Sequence, residues 1–199
     1  NNVLSISASG HKYGESCCGT GWVVWRERKG LSEYVAISVT YLGGKSDSYT
    51  LNFSRPASGV YVQYYKFLRY GMSGYQTVAD HMMGYAKIIR DGLRALIYQG
   101  KPRFVLLDHG DENCLPVVAA MLNPECEFPF NDVDLQNALS QHHWYVSAYK
   151  MSFQHPLTEK MEPLFSDKEA DHTMFRIVIK NNISGSMVRN LLESFVVAL

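Results

Sequence analysis

Hydrophobic positions at the amino terminus form a short run that ends at a loop bounded by glycines. Val3, Leu4 and Ile6 predict a buried strand, and the small residues after them predict its end. Gly10 and Gly14 flank the loop, where the lack of a side chain lets the backbone approach a ligand closely. The pattern is typical of a strand that delivers polar side chains to a binding site.

Further strand and loop patterns follow before residue 60. Trp22–Arg26 predicts a short buried strand after a Gly-Thr-Gly turn, and residues 35–41 alternate as a half-buried strand does. The polar residues Lys45–Ser48 predict a mobile loop. Arg55 and Pro56 then impose an extended step before a helix, because a residue that precedes proline avoids the helical region.

From residue 60 the hydrophobic period changes to that of a helix. Apolar and aromatic side chains recur at intervals of three and four from Val60 to Leu68, and Ser73 can cap a second helix that ends near Leu96. The second stripe consists of Tyr75, Val78, Ala79, Met82, Ala86, Ile89, Leu93 and Leu96. Gly71 and Gly74 interrupt the pattern and predict a kink or short turn between the two helices.

Beyond residue 100 strands alternate with helices, which predicts an α/β fold. Residues 150–172 are polar and predict no element. The predicted elements are paired strands at 104–108 and 115–122, a helix capped by Asn131, a strand near 144–148, a strand at 174–179 and a final helix capped by Ser184.

Composition narrows the class of protein. The 199 residues are 46% hydrophobic, enough for a buried core, and 19 basic residues balance 19 acidic ones, so neither nucleic acid nor an anionic membrane is an expected partner. No apolar run approaches the ~20 residues that span a bilayer. Four cysteines are too few for a disulfide scaffold, which predicts reduced thiols in a cytoplasmic protein. The histidines lack metal-ligand spacing, so no metal is predicted.

Lys12 is the residue with the most distinctive chemistry. A lysine at the end of an apolar strand is readily desolvated, which lowers its pKa from about 10.4 and favours the neutral amine. A neutral amine can attack an aldehyde and form a Schiff base. The alternative is a solvated loop lysine without a chemical role, and the local pattern leaves both open.

Five motifs in a fixed order identify a resemblance. Together they closely resemble the carboxyl-terminal part of glutamate decarboxylases of the plant, bacterial and fungal type, which are pyridoxal-phosphate enzymes. The match is dense from residue 1 to about residue 75 and sparse afterwards. The motifs are SGHKYG at 9–14, GTGWVVWR at 19–26, YLGG at 41–44, LNFSRP at 51–56 and QYYKFLR at 63–69.

The resemblance implies the aspartate-aminotransferase-like α/β fold, also called pyridoxal-phosphate fold type I. Residues 1–57 would end the cofactor-binding large domain, residues 58–98 would form linking helices, and residues 99–199 would form the small α/β domain. The sequence lacks an initiator methionine and reaches the cofactor lysine almost at once. We therefore expect it to be a fragment whose preceding half supplies most of the cofactor pocket.

The implied activity is decarboxylation of L-glutamate to 4-aminobutanoate and carbon dioxide. Lys12 matches the lysine that holds pyridoxal phosphate, and Ser9 and His11 match positions that help to hold this cofactor. Ser54 matches a serine that donates to the cofactor phosphate across a dimer interface. Hydroxyl and imidazole groups are suitable donors to a phosphate dianion.

Tyr41 is a candidate catalytic residue, because the loop that carries it reaches the neighbouring subunit's site in the family. Tyr41 and the released Lys12 amine are alternative donors of the proton that replaces carbon dioxide. Tyr41 could equally be an aromatic residue packed at the end of a strand. The shared loop implies a homodimer or higher homo-oligomer with shared sites.

Arg176 lies within the apolar strand at 174–179, where a buried charge is costly unless it is paired. The family places a carboxylate-binding arginine in the equivalent strand, and a guanidinium can grip a carboxylate with two parallel hydrogen bonds. This predicts substrate binding by Arg176. The alternative is an internal salt bridge to an acidic side chain.

The chain also departs from the family. Polar and thiol side chains at Glu15–Cys18 replace the apolar residues and proline that usually follow the cofactor lysine. Another amino-acid decarboxylase is therefore an alternative hypothesis. Two further alternatives are a sphingosine-phosphate lyase, which also carries His-Lys-Tyr-Gly, and a non-catalytic copy that keeps only dimer surfaces. The LNFSRP context at 51–56 favours the decarboxylase over the lyase.

Overall fold

A computed structural model describes residues 2–31, 37–39, 46–49, 54–110, 114–164 and 171–198. The chain divides into two compact units, Asn1–Tyr75 and Gln76–Leu199, and each is described here by itself. The division into parts at residues 57 and 98 stays a prediction.

The first unit contains two β-hairpins and the start of a long helix. Strands β1 (Ser5–Ser9) and β2 (Gly21–Trp25) pair antiparallel, and the loop between them carries Lys12. A 3₁₀ turn (Arg28–Gly30) follows β2. Strands β3 (Ile37–Val39) and β4 (Ser46–Ser48) form the second antiparallel pair, and helix α1 (Ser58–Ala95) starts in this unit.

Two expectations for the first unit are wrong. The strands predicted to be buried form as predicted, but all residues of β1 and β2 are exposed, because in the described residues these two strands form a sheet of their own, and contacts with α1 such as Trp22–Gln63 leave most of its surface open. The polar stretch predicted as a mobile loop contains strand β4 at its end. Backbone pairing with β3, which does not depend on side-chain polarity, explains this strand.

Helix α1 confirms the predicted pair of helices and the kink between them. Gly71 has φ 58° and ψ −170°, a conformation that interrupts the helix and that residues with a Cβ rarely adopt. Before the kink, the predicted stripe from Val60 to Leu68 is exposed. After it, Met82, Ala86, Ile89 and Leu93 are buried as the periodicity predicts.

The second unit is a four-stranded antiparallel sheet with helices packed against one face. In strand order the sheet consists of β7 (Phe104–Leu106), β8 (Val117–Leu122), β12 (Thr173–Val178) and β9 (Ser147–Lys150), and every neighbouring pair is antiparallel. Its elements after α1 are β5 (Ile97–Tyr98), β6 (Lys101–Pro102), β7 (Phe104–Leu106), β8 (Val117–Leu122), α2 (Asp132–Gln141), β9 (Ser147–Lys150), β10 (Ser152–Gln154), β11 (Met161–Pro163), β12 (Thr173–Val178) and α3 (Gly185–Val197).

Most predicted elements of this unit are confirmed, including both helix caps. The Asn131 side chain accepts from the backbone N–H groups of Val133 and Asp134, and Ser184 accepts from that of Met187. Phe104, Phe175 and Phe195 contact one another at the centre of the core, with ring centroids 5.4–5.7 Å apart. The β10–β11 hairpin occupies part of the stretch for which the sequence predicts no element.

A buried ion pair joins α1 to the sheet. Arg90 is 2% exposed, and its Nε lies 2.5 Å from Asp108 Oδ1. Arg90 Nη2 also donates to the Val117 carbonyl, and Asp108 Oδ2 accepts from the Ala119 backbone N–H. Both charges thus have hydrogen-bonding partners in a largely buried site.

Asp132 is a second buried charge, at the first residue of α2. Its Oδ1 accepts from the Leu122 backbone N–H at 2.8 Å, and its Oδ2 accepts from the Thr173 hydroxyl at 2.7 Å. The carboxylate therefore connects β8, β12 and α2. Burial raises the pKa of Asp132 to about 6, and the hydrogen bonds from Thr173 and Leu122 only partly oppose this rise.

This raised pKa predicts that the second unit is more stable in mild acid. Because the folded protein binds the Asp132 proton more tightly than the unfolded chain, the contribution is present below pH 3.8 and is lost as pH rises through about 6. The shift corresponds to roughly 3 kcal/mol. Urea unfolding between pH 4 and pH 7.5 should show this slope, and Asp132→Asn should flatten it.

Asp132→Ala is the matched comparison, since it removes the titrating group and both accepted hydrogen bonds. We expect it to lower stability at every pH, by about 2 kcal/mol or more. An Asp132→Asn protein that keeps the parent's pH dependence would show that another group causes the slope.

Candidate cofactor-binding site

The loop that carries Lys12 is held by backbone hydrogen bonds. The Gly10 N–H donates to the Thr20 carbonyl at 2.8 Å, and the Ser16 N–H donates to the Gly10 carbonyl at 2.9 Å. The Glu15 N–H donates to the Lys12 carbonyl at 3.0 Å, which closes a turn around the lysine. These bonds fix the loop backbone between the end of β1 and the start of β2.

The glycines of this loop are required by close packing on α1. A Cβ at Gly14 would lie 2.6 Å from the Gly10 carbonyl oxygen, and one at Gly10 would lie 2.9 Å from Gln63 Oε1. Gln63 is 4% exposed, and its Oε1 accepts from Trp22 Nε1 at 2.7 Å. The sequence suggests glycines for approach to a ligand, whereas here they admit a helix side chain.

Ser9, His11 and Lys12 lie together at the end of β1 and the start of the loop, and all three are exposed. Their side chains have no hydrogen bond or ion pair within the described part of the chain. The expected desolvation of Lys12 is therefore wrong within the described ranges, because no residue there covers its amine. Nothing in the described ranges occupies the donors that the resemblance assigns to a cofactor.

The remaining predicted residues of the first unit lie elsewhere in sequence. Ser54 is exposed and lies four residues before the start of α1, beside Arg55, whose Nη1 donates to Ser48 at 3.3 Å. Tyr41 lies outside the described residues. Its role as a proton donor stays a prediction.

Arg176 lies in the second unit, on the face of β12 opposite the phenylalanine core. The expectation that its charge is buried is wrong: alternate residues of β12 face the core, and Arg176 is among the exposed ones. It stands between Ala119 of β8 and Ser147 of β9. These small neighbours leave room for the guanidinium, whose Cζ lies 5.8 Å from the Tyr149 ring centroid.

Arg176 has no ion pair with any acidic side chain of the described ranges. The salt bridge that was the alternative to substrate binding is therefore not seen there. An exposed guanidinium with an aromatic neighbour and no carboxylate partner is chemically suited to bind a carboxylate ligand.

Sequence reasoning missed a cluster of side chains beside the lysine loop. Lys66 of α1 forms an ion pair with Glu15, with Nζ 2.8 Å from Oε2. The signals in the sequence were an acidic residue directly after the SGHKYG motif at 9–14 and a single cation in the run of aromatic and apolar residues at 64–68. Neither signal by itself reveals that the two residues meet.

The described residues lack the features of two other kinds of site. No group of three or more histidine, cysteine, aspartate or glutamate side chains is arranged there to hold a metal ion. None of the helices in those ranges has both the length and the apolar character that crossing a bilayer requires.

Comparison with known families shows which family the chain belongs to. The model of the pyridoxal-dependent decarboxylase conserved domain matches residues 1–119, more than half of the chain. The chain belongs to the pyridoxal-dependent decarboxylase family. The predicted family, the enzyme class and the pyridoxal cofactor are thereby confirmed at the level of the family.

The most similar curated proteins include glutamate decarboxylases of plants and bacteria. Glutamate decarboxylase 3 of Arabidopsis thaliana is 32% identical over 97% of this chain and 34% of its own length. Glutamate decarboxylase beta of Listeria innocua is 31% identical over 98% of this chain and 37% of its own length. The chain thus spans about a third of the length of these relatives.

Solved structures confirm the predicted pyridoxal-phosphate fold type I. A glutamate decarboxylase from Lactobacillus brevis matches with a TM-score of 0.76 and 31% identity, over 100% of this chain and 40% of that one. A sphingosine-1-phosphate lyase from Burkholderia pseudomallei matches with a TM-score of 0.68 and 18% identity, over 98% of this chain and 37% of that one. The second likeness concerns the fold alone.

The residues of this decarboxylase-family chain fit the cofactor that the family uses. The Lys12 amine, the His11 imidazole and the hydroxyls of Ser9 and Ser54 have no side-chain partner in the described ranges. Ser9, His11 and Lys12 lie within four consecutive residues. An amine can bond an aldehyde, and the other groups can donate to a phosphate.

Proposed function

We propose that this segment is the carboxyl-terminal part of a glutamate decarboxylase. The enzyme would convert L-glutamate to 4-aminobutanoate and carbon dioxide, with pyridoxal phosphate held by Lys12. The observation that carries the proposal is the 31–32% identity to glutamate decarboxylases over almost the entire chain. The accessible Lys12 loop of the first unit supports it.

Each predicted site residue has a role that its chemistry allows. Lys12 Nζ would hold the cofactor, Ser9 and His11 would orient it, and the Ser54 hydroxyl would reach its phosphate across a subunit interface. When bound, pyridoxal phosphate supplies the electron sink for cleavage of the bond between the substrate Cα and its carboxylate. Arg176 would hold a substrate carboxylate and orient that bond.

A proton must then be delivered to the substrate Cα. Lys12 Nζ and the Tyr41 hydroxyl are the two candidate donors. The proposal includes a cytoplasmic homodimer, or a higher homo-oligomer, whose sites are shared between subunits.

A panel of amino acids tests the substrate assignment. Carbon dioxide release from the assembled enzyme should be fastest with glutamate and much slower with aromatic amino acids. Equal release from both would contradict the glutamate assignment and leave a broader decarboxylase. Release from neither, without cofactor binding, would support a non-catalytic role.

Removing the Arg176 guanidinium should impair substrate use. We expect Arg176→Ala to lower kcat/KM for glutamate by about 30- to 100-fold, because a charge-assisted hydrogen-bonding pair contributes roughly 2–3 kcal/mol. Steady-state kinetics of carbon dioxide release measures this loss. Arg189→Ala, which removes an exposed arginine of α3, is the control and should leave kcat/KM unchanged. An Arg176→Ala enzyme with the parent's kcat/KM would remove Arg176 from the site.

A further inference from the structure

Glu15 and Lys66 form an ion pair within the first unit that is more enclosed than a surface pair. Their side chains are 15% and 27% exposed, and Nζ lies 2.8 Å from Oε2. The pair Lys29–Glu27 of the same unit is far more open, with side chains 82% and 54% exposed. Water screens the enclosed pair less, so its geometry is more strongly favoured.

Two tyrosine side chains lie next to the ion pair. Lys66 Nζ also donates to the Tyr70 hydroxyl at 3.2 Å and lies 5.0 Å from the centroid of that ring. The Tyr70 ring packs edge-on against Tyr75, with centroids 5.6 Å apart. The hydrogen bonds of Lys66 with Glu15 and Tyr70 raise the pKa of the lysine above its ordinary value, so it is charged at neutral pH.

The same cluster holds the other side of the lysine loop. The Tyr13 hydroxyl donates to the Tyr75 carbonyl at 2.5 Å, and the Tyr75 hydroxyl donates to the Gly14 carbonyl at 3.4 Å. Tyr13 and Gly14, the two residues that follow the lysine, are thus both hydrogen-bonded to α1. The rings of Tyr13 and Tyr75 also contact each other, with centroids 5.4 Å apart.

Glu15 has an unusual backbone. Its φ is 54°, in the left-handed region that non-glycine residues seldom adopt, and its N–H closes the turn onto the Lys12 carbonyl. A residue in this conformation persists only where its surroundings favour it. The ion pair with Lys66 supplies such an interaction through the side chain.

We propose that Glu15 and Lys66 are positioning residues that clamp the loop to α1 and thereby set the place of the Lys12 amine. This inference rests on the proposed role of Lys12.

Single and exchanged variants of the assembled protein test the clamp. Glu15→Gln and Lys66→Met each break the ion pair, and the double variant E15K/K66E restores it with the charges exchanged. Glu27→Gln breaks the exposed pair and is the matched control. Absorbance titration with pyridoxal phosphate gives the affinity and the pH midpoint of the bound cofactor's spectrum, and hydrogen exchange without cofactor reports on the Glu15 and Ser16 amides.

We expect each single variant to weaken cofactor binding about tenfold or more, because small displacements of a reactive group are costly. The pH midpoint should move and both amides should exchange faster. The exchanged variant should recover all three properties, and Glu27→Gln should match the parent. If the single variants fail to fold, a folded exchanged variant still supports the pair.

Three results would overturn the clamp. The first is that the single variants keep the parent's affinity, pH midpoint and exchange rates. The second is that the exchanged variant recovers none of these properties, and the third is that it fails to fold. A parent protein that binds no pyridoxal phosphate would instead contradict the proposed function. Amide exchange in the absence of cofactor still decides the clamp in that case.

Discussion

Lys12→Ala is expected to abolish covalent attachment of pyridoxal phosphate and to lower kcat by roughly 10³-fold or more. The substitution removes the amine that bonds the cofactor aldehyde and also a proton donor, and a positioned donor alone contributes about 10²–10⁴-fold. Absorbance spectra of the assembled protein with added pyridoxal phosphate, together with carbon dioxide release, measure both losses.

Two further variants separate this role from loss of charge. Lys12→Arg keeps a cation but cannot form the covalent bond, so it should behave like Lys12→Ala. Lys29→Ala removes an exposed lysine of the same unit and should leave the spectrum and the rate unchanged. A Lys12→Ala protein that keeps the bound-cofactor spectrum would place the attachment at another lysine.

Arg90→Met is expected to destabilise the second unit by about 3–5 kcal/mol. The substitution removes the cation of a buried ion pair and leaves the Asp108 carboxylate without its partner. A buried charge without a partner is strongly unfavourable. It also removes the donor to the Val117 carbonyl. Urea unfolding at neutral pH, followed by tryptophan fluorescence, measures the change in the free energy of unfolding.

Paired and surface variants test the reason for this loss. Arg90→Met combined with Asp108→Leu removes both charges and should recover part of the stability. Lys87→Met breaks an exposed ion pair one turn earlier on α1, with side chains 76% and 48% exposed, and should barely change the unfolding curve. An Arg90→Met protein as stable as Lys87→Met would contradict a structural role for the buried pair.

Local signals in the sequence predict the elements of this chain well. The stripe from Met82 to Leu93, the caps Asn131 and Ser184, and the break at Gly71 each depend on neighbouring residues along the chain. Such features are encoded within a few turns of helix, so reading them requires no knowledge of tertiary contacts.

Burial is harder to predict because it depends on distant parts of a molecule. Ile6 and Val24 have the pattern of core residues, yet both are exposed on a hairpin that, in the described residues, pairs with no other strand. Arg176 appears within an apolar run, but alternation along β12 places it on the exposed face. An uninterrupted apolar run does not state which face of a strand is covered.

The candidate site combines both situations. Ser9, His11 and Lys12 are adjacent in sequence, so a motif suffices to group them. Glu15 and Lys66 are 51 residues apart, and only the folded first unit brings them together. Long-range pairs of this kind are where a single sequence carries the least information.

Locating the covalently bound cofactor tests the central claim most directly. Reduction of the assembled protein with borohydride in the presence of pyridoxal phosphate makes the link between amine and cofactor permanent, and mass spectrometry of the digested protein then identifies the modified residue. We expect a pyridoxyl group on the peptide that contains Lys12. Modification of a different lysine, or of none, would contradict it.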